Sequence, residues 1–110
     1  MNLKYFIIIT LLLTACTPTE IYFCPEDNCQ KEVLKELGSA KNEIKFMIYS
    51  FTDHTIAEML IYKGQKIDVE GIVEKDRITS KFHVYNALIE GNITTILDKN
   101  RATMHNKIGL

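Results

Sequence analysis

His105 and Lys107 are the two residues of this sequence whose types and spacing could do chemistry together. In an extended strand, residues i and i+2 point to the same side, so the imidazole and the ammonium would face one substrate. An imidazole can attack phosphorus or donate a proton near neutral pH, and an ammonium can neutralise charge that gathers in a transition state. The pair would therefore suit metal-free cleavage of a phosphodiester, although a His-x-Lys triplet is common by chance and its context must decide.

The residues before this pair alternate between strand-like and helix-like patterns. The run 44–51 is apolar and rich in strand formers, which predicts a buried central strand, and the alternation over 67–73 predicts a strand with one wet face. The full predicted order is strand 21–23, a helix ending near 40, strand 44–51, a helix to 64, strand 67–73, a helix to 91, strand 93–97 and strand 104–110. Helices between strands imply right-handed crossovers and an α/β fold with a largely parallel sheet.

Short polar side chains indicate where the three predicted helices begin. Such residues accept hydrogen bonds from the free amides of a first helical turn. The candidate N-caps are Asp27 or Asn28 for the first helix, Thr52 or Asp53 for the second, and Thr79 or Ser80 for the third. Each helix start therefore follows a predicted loop, and the third helix is expected to include His83.

The N-terminus has the pattern of an export signal. Lys4 supplies a positive charge, residues 5–13 are apolar, and Leu-Thr-Ala-Cys at 13–16 resembles a lipoprotein box. The sequence thus predicts a signal peptide over 1–15, acylation of Cys16 and a short tether over 16–20, which would anchor an exported protein to the membrane. An ordinary secretory signal and an uncleaved N-terminal anchor are the alternatives.

The charge balance argues against a strongly basic nucleic-acid-binding surface. The chain has 13 Lys and Arg residues against 14 Asp and Glu residues. Loss of Lys4 with the signal peptide would leave a net charge of about −2, whereas nonspecific nucleic-acid binders are usually basic. Nucleic acid is still compatible with a local basic cluster. The candidates are Lys75, Arg77, Lys81, Lys99 and Arg101, which are otherwise solvated surface residues.

Cys24 and Cys29 form a C-x4-C pair in the predicted mature chain. In an exported protein a disulfide that closes this short loop is the simplest interpretation. Free buried thiols and a metal site are the alternatives, although a zinc ion needs about four ligands. His54 and His83 are expected at the surface or at its boundary rather than as ligands.

The segment 44–52, Ile-Lys-Phe-Met-Ile-Tyr-Ser-Phe-Thr, resembles the "YSFT" strand of single-motif phospholipase D-like proteins. That group includes small bacterial endonucleases and mitochondrial cardiolipin hydrolase. The similarity continues through 56–60, the strand that ends near Val73 and Glu74, the helix closed by Gly91, and the Met-His-Asn-Lys run at 104–107. It covers residues 21–110 in the right order, so this range is expected to be one phospholipase D-like domain.

The resemblance implies an α/β fold, a mixed sheet with flanking helices, and an activity. Each subunit of such a protein supplies one motif, and two motifs face each other in a homodimer. His105 would be the nucleophile that forms a phosphohistidine, or the general acid, and Lys107 would hold the phosphate. The implied substrate is a phospholipid or a nucleic acid, and no metal cofactor is implied.

Three departures from the family pattern lead to a further expectation. The motif HxK(x)4D would place its Asp at position 112, beyond Leu110, so the chain is expected to be an N-terminal fragment truncated within the motif, with the C-terminal part of the fold missing. Glu74 stands where an Asp commonly ends the strand, and Gly-Gln-Lys-Ile at 64–67 replaces an Arg-Gly-Val element. A noncatalytic truncated lipoprotein remnant and a small binding module are the alternatives to an active hydrolase.

Overall fold

The computed structural model of the chain describes residues 18–79, 81, 83–100, 102 and 107–109, and of Lys107 the main chain alone. Helices and strands alternate along this part of the chain. They are α1 (Cys29–Ser39), β1 (Glu43–Ile48), α2 (His54–Gly64), β2 (Asp68–Glu74), a 3-10 turn (Lys75–Arg77), α3 (Tyr85–Glu90), β3 (Thr94–Asp98) and β4 (Lys107–Gly109). The predicted α/β class is confirmed.

The described strands form one mixed sheet in the order β3-β2-β1-β4. β1, β2 and β3 run parallel, with Ile48 beside Val73 and Val73 beside Leu97. β4 runs antiparallel to β1, with Ile48 beside Lys107. β1 is therefore an inner strand, as its apolar run predicts, and the mixed sheet with flanking helices agrees with the expected fold.

Local capping sets the starts of the first two helices. The side chain of Asn28 accepts a hydrogen bond from the Lys31 amide at the start of α1. At the start of α2, Asp53 Oδ1 accepts from the Ile56 amide at 3.0 Å, and Asp53 Oδ2 accepts from Gln30 Nε2 at 2.7 Å. The second capping residue thus also ties α2 to the beginning of α1.

The core of the described chain lies on one face of the sheet. β1 and β2 send alternate residues to this face, where the three helices cover them. The buried apolar residues are Ile44, Phe46, Phe51, Ala57, Leu60, Val69, Val73, Val84, Leu88 and Ile93. Gly71 lies beside Phe46 in register, and the Phe46 ring fills the space that a Cβ at Gly71 would need. The close approach of this ring to β2 therefore requires glycine.

The opposite face of the sheet has a row of apolar side chains, one from each strand. Ile96, Ile72, Met47 and Ile108 are neighbours in register across the four strands. Ile96 is 59% exposed and Ile108 is 51% exposed. In the next row, Lys45 pairs with Glu70 at 3.1 Å, and this contact, with the nearby charge of Glu43, raises the pKa of the Lys45 ammonium. The described helices leave this face open.

The segment 21–23 is not a strand, contrary to expectation. The amide of Phe23 donates to Asp27 Oδ2 at 2.6 Å, and the Phe23 carbonyl accepts from the Asp27 amide at 2.9 Å. Cys24 and Cys29 are paired as a disulfide across the same turn, with Cα atoms 5.8 Å apart, a separation that a disulfide can span. In this turn the amide and the carbonyl of Phe23 are hydrogen-bonded to Asp27, so they do not pair with a neighbouring strand.

The third helix begins later than the sequence predicts. It starts at Tyr85, not at Thr79 or Ser80, and His83 lies in the preceding loop. The reason is a tertiary contact, because Val84 is buried and its amide donates to the Phe51 carbonyl at 3.0 Å.

Among the described residues, no helix combines the length and apolarity needed to cross a membrane.

Lys63 is a buried cation that joins the end of α1 to α2. It is 7% exposed, and its Nζ donates to the Gly38 carbonyl at 3.0 Å and to the Ala40 carbonyl at 2.6 Å. Carbonyls at a helix C-terminus lack partners within the helix and carry a partial negative charge. Lys63 therefore satisfies two acceptors at the α1 end while burying its own hydrocarbon stem.

We expect Lys63→Met to lower the free energy of unfolding by about 1–3 kcal/mol, because both carbonyls would lose a charged donor. Urea denaturation followed by circular dichroism measures the difference. Lys41→Met removes the same charge from an exposed position and is expected to change stability by under about 0.5 kcal/mol. Equal stability of the two variants would contradict the bridging role of Lys63.

Candidate functional site at the carboxyl edge of the sheet

The carboxyl ends of the three parallel strands define one edge of the sheet, hereafter the carboxyl edge. β1 ends at Ile48, β2 at Glu74 and β3 at Asp98, and Glu74 lies beside Asp98 in register. In open α/β sheets ligands bind at this edge, where loops from several strands converge. A functional site is therefore expected at the carboxyl edge.

β4 begins at this edge because it runs antiparallel to β1. Its first residue, Lys107, lies beside Ile48 at the end of β1. The chain thus enters the motif strand at the same edge at which the parallel strands end. Of the sequence-predicted catalytic residues, His105 lies outside the described residues, and Lys107 is described by its main chain alone.

Two loops of the carboxyl edge are fixed to each other. The loop after β1 contains Ser50, which is exposed, and Phe51, which is 3% exposed and packs its ring edge-on against Phe46 at 5.9 Å between centroids. The Phe51 carbonyl accepts the hydrogen bond from Val84 in the loop before α3. The burial of Phe51 and its ring contact indicate a structural role for this turn.

Tyr49 and Arg77 form a cation–π contact on this edge. Tyr49 directly follows β1 and Arg77 ends the 3-10 turn after β2, and the guanidinium carbon lies 4.7 Å from the centre of the phenol ring. A stacked guanidinium keeps its planar face and several N–H donors for other groups. The sequence predicts Arg77 as a solvated surface residue or as part of a local basic cluster, and it does not predict this contact, since nothing local links the two residues.

His83 is a second imidazole in the loops of this edge. Its Nδ1 accepts from the Tyr85 amide at 3.0 Å, and burial lowers the pKa of its side chain. Accepting at Nδ1 leaves the proton of the neutral ring on Nε2. That atom is buried and has no hydrogen-bond partner in the described part of the chain. His83 thus lies at the boundary of the surface, as expected, and its Nδ1 helps to begin α3.

Glu74 and its neighbours give the edge a mixed charge. Glu74 is 3% exposed at the end of β2, whereas Lys75 and Arg77 are exposed in the turn that follows. A buried carboxylate at this position corresponds to the acidic residue that the family pattern places there. The exposed cations, not the carboxylate, face solvent at this point of the edge.

The other predicted site residues lie elsewhere. Cys24 and Cys29 are in the N-terminal turn, before α1. Cys16 lies outside the described residues, so its acylation stays a prediction. Within the described ranges, no three His, Cys, Asp or Glu side chains come together in a way that could hold a metal ion.

The chain has the fold of the phospholipase D-like superfamily, as the two solved structures described next show. Nuc from Salmonella typhimurium, a phospholipase D family member of known crystal structure, is similar over 78% of this chain with a TM-score of 0.71 and 27% sequence identity. NucT from Helicobacter pylori is similar over 80% of this chain with a TM-score of 0.66, and at 21% identity this likeness concerns the fold alone.

The chain spans about three fifths of the length of these two solved structures, 59% of Nuc and 64% of NucT. No protein-family model matches the sequence, and no curated protein matches it either. The likeness is therefore carried by the arrangement of strands and helices.

Proposed function

We propose that the protein is a phosphodiesterase that hydrolyses phosphodiester bonds in a phospholipid or a nucleic acid through a phosphohistidine intermediate, without a metal ion. His105 supplies the nucleophile or the general acid, and Lys107 holds the phosphate. The fold is that of a superfamily of phosphodiesterases, and the pair of residues brings together a nucleophile and a cation suited to this reaction.

The observation that supports this proposal most directly is the register of the motif strand. Lys107 lies beside Ile48, so the strand begins at the carboxyl edge, next to the loops after β1 and β2. Two residues of chain span at most about 7 Å, so we expect His105 to lie close to the same strand end. The two reactive side chains would thus share an edge with exposed cations.

The chemistry follows from these two groups. The His105 imidazole attacks phosphorus and forms a P–N bond, while the P–O bond to the leaving group breaks and a second imidazole protonates the leaving oxygen. Lys107 neutralises the charge on the non-bridging oxygens in both transition states. Water then attacks the phosphohistidine, breaks the P–N bond and releases a phosphate monoester.

The proposal is tested by assaying the purified protein on a phosphodiester and on the corresponding monoester, each with and without EDTA. We expect turnover of the diester that EDTA does not reduce, and no turnover of the monoester. Acid-sensitive labelling of the protein by a radioactive diester would report the phosphohistidine. Absence of diester turnover, or its complete loss in EDTA, would contradict the proposed function.

A homodimer that joins two motifs in one site is part of the same proposal, because one imidazole cannot attack phosphorus and protonate the leaving group in the same step. If each site needs His105 from both subunits, mixing the wild type with excess His105→Ala protein should inactivate the wild-type subunits. At a fixed total protein concentration, activity is then expected to fall as the square of the wild-type fraction. A linear fall would show that each subunit works alone.

A further inference from the structure

We propose that Tyr49 and Arg77 form a base-stacking subsite beside the motif, and that the substrate is accordingly a single-stranded nucleic acid. This inference rests on the proposed phosphodiesterase function and names the substrate class of that site. It begins from the contact itself, in which the Arg77 guanidinium lies 4.7 Å from the centre of the Tyr49 ring. The contact places the guanidinium over the phenol ring at the carboxyl edge.

The position of this pair relative to the motif is set by the sheet. Tyr49 directly follows Ile48, and Ile48 is the register partner of Lys107. Neighbouring strands lie about 4.8 Å apart and each residue extends a strand by about 3.3 Å. The distance between the subsite and the main chain of Lys107 is therefore about the length of one nucleotide. A subsite for the nucleotide next to the scissile phosphate requires such a distance.

The chemistry of the pair fits a nucleotide. Bases stack on tyrosine rings and on guanidinium planes, and the guanidinium edge can hydrogen-bond to a phosphate oxygen. Tyr49 is only partly buried and Arg77 is exposed, so the stacked pair is open to solvent. A phospholipid headgroup offers a phosphate without a planar ring, whereas a nucleotide offers both groups in one residue.

The overall charge favours such a local subsite. The chain has a net charge of −1, so a general attraction for phosphates contributes little to the affinity. Lys75 and Arg77 are exposed in one short turn after β2, and among the described residues only Arg77 of the two lies over a ring. The two cations thus provide a matched comparison, since both carry one charge and only one of them contributes a stacking plane.

The experiment compares two oligonucleotides with the same backbone, one with bases and one abasic. The wild type is expected to bind the base-bearing strand about 5-fold or more tightly than the abasic one, measured as Kd by fluorescence anisotropy and as KM in the cleavage assay. Tyr49→Leu and Arg77→Gln should remove this preference, and Arg77→Lys should reduce it although the charge is kept. Lys75→Gln should weaken both strands equally and preserve the ratio.

The outcomes separate the subsite from the proposed function. Cleavage of the abasic strand tests the phosphodiesterase activity, and the ratio between the two strands, which anisotropy measures without turnover, tests the subsite. An equal loss for both strands in Arg77→Gln, with folding intact by circular dichroism, would overturn the stacking role. Binding to phosphatidylglycerol vesicles that depends on Arg77, with no preference for bases, would also overturn it.

Discussion

Replacing His105 by alanine is expected to reduce kcat for a phosphodiester by at least about 1,000-fold, because the reaction would lose the atom that forms the bond to phosphorus. The same change should abolish covalent labelling of the protein by a radioactive diester, since no P–N bond could form. Turnover and labelling are measured on one preparation whose thermal unfolding matches that of the wild type. A structural role of His105 would alter the unfolding temperature but would not account for the missing label.

His54→Ala is the matched control for this measurement. His54 is the first residue of α2 and is exposed, and it takes no part in the proposed chemistry. We expect this variant to keep kcat within about twofold of the wild type. Full turnover in His105→Ala, or an equal loss in both variants, would remove His105 from the reaction.

The second large effect is expected at Lys107. Replacing it by methionine keeps most of the side-chain volume and removes the charge, and loss of one group that stabilises a transition-state anion typically costs 100-fold to 1,000-fold in kcat. Because the charge on phosphorus oxygens grows toward the transition state, kcat should fall more than KM rises. Steady-state kinetics on a diester measures both constants.

Lys41→Met provides the control for a general change in charge. Lys41 is exposed just before β1, at the opposite edge of the sheet, and its loss alters the net charge by the same amount. We expect its kcat and KM to stay close to those of the wild type. A Lys107→Met variant that raised KM alone would indicate that Lys107 binds substrate without stabilising the transition state.

The parts of the fold that could be predicted from the sequence are those that local chemistry decides. Asn28 and Asp53 cap helices through their own side chains, so the starts of α1 and α2 follow from a few neighbouring residues. Val69 and Val73 are buried on one face of β2, as their alternation with polar residues indicates. The class of the fold follows from the order of these elements.

The parts that could not be predicted depend on contacts between distant segments. The start of α3 is fixed by the hydrogen bond from Val84 to Phe51, which no pattern around Thr79 or Ser80 could reveal. The turn at Phe23 replaces a strand because Asp27 bonds the amide and the carbonyl of Phe23, and the disulfide between Cys24 and Cys29 closes the turn. Where a side chain or a loop from a distant segment hydrogen-bonds to the backbone, this contact overrides the local preference for a helix or a strand.

Part of the candidate site could likewise be predicted from the sequence, and part of it could not. The His-x-Lys spacing could be recognised because it repeats the two-residue period of a strand. The contact between Tyr49 and Arg77 could not, since it joins the ends of two different strands that only the parallel register brings together. The spacing therefore predicts the reactive residues, whereas the fold brings together the two residues proposed to select the substrate.

The pairing of the last described strand with the first has a consequence for how a newly made copy matures. A ribosome releases about 5–20 residues per second from the N-terminus onward, so α1 to β3 emerge before Lys107 does. The parallel strands and their helices therefore leave the ribosome before the histidine and the lysine do. β4 can then pair with β1 once it has been synthesised. In a nascent chain the reactive groups therefore emerge after the strands and loops that would align them.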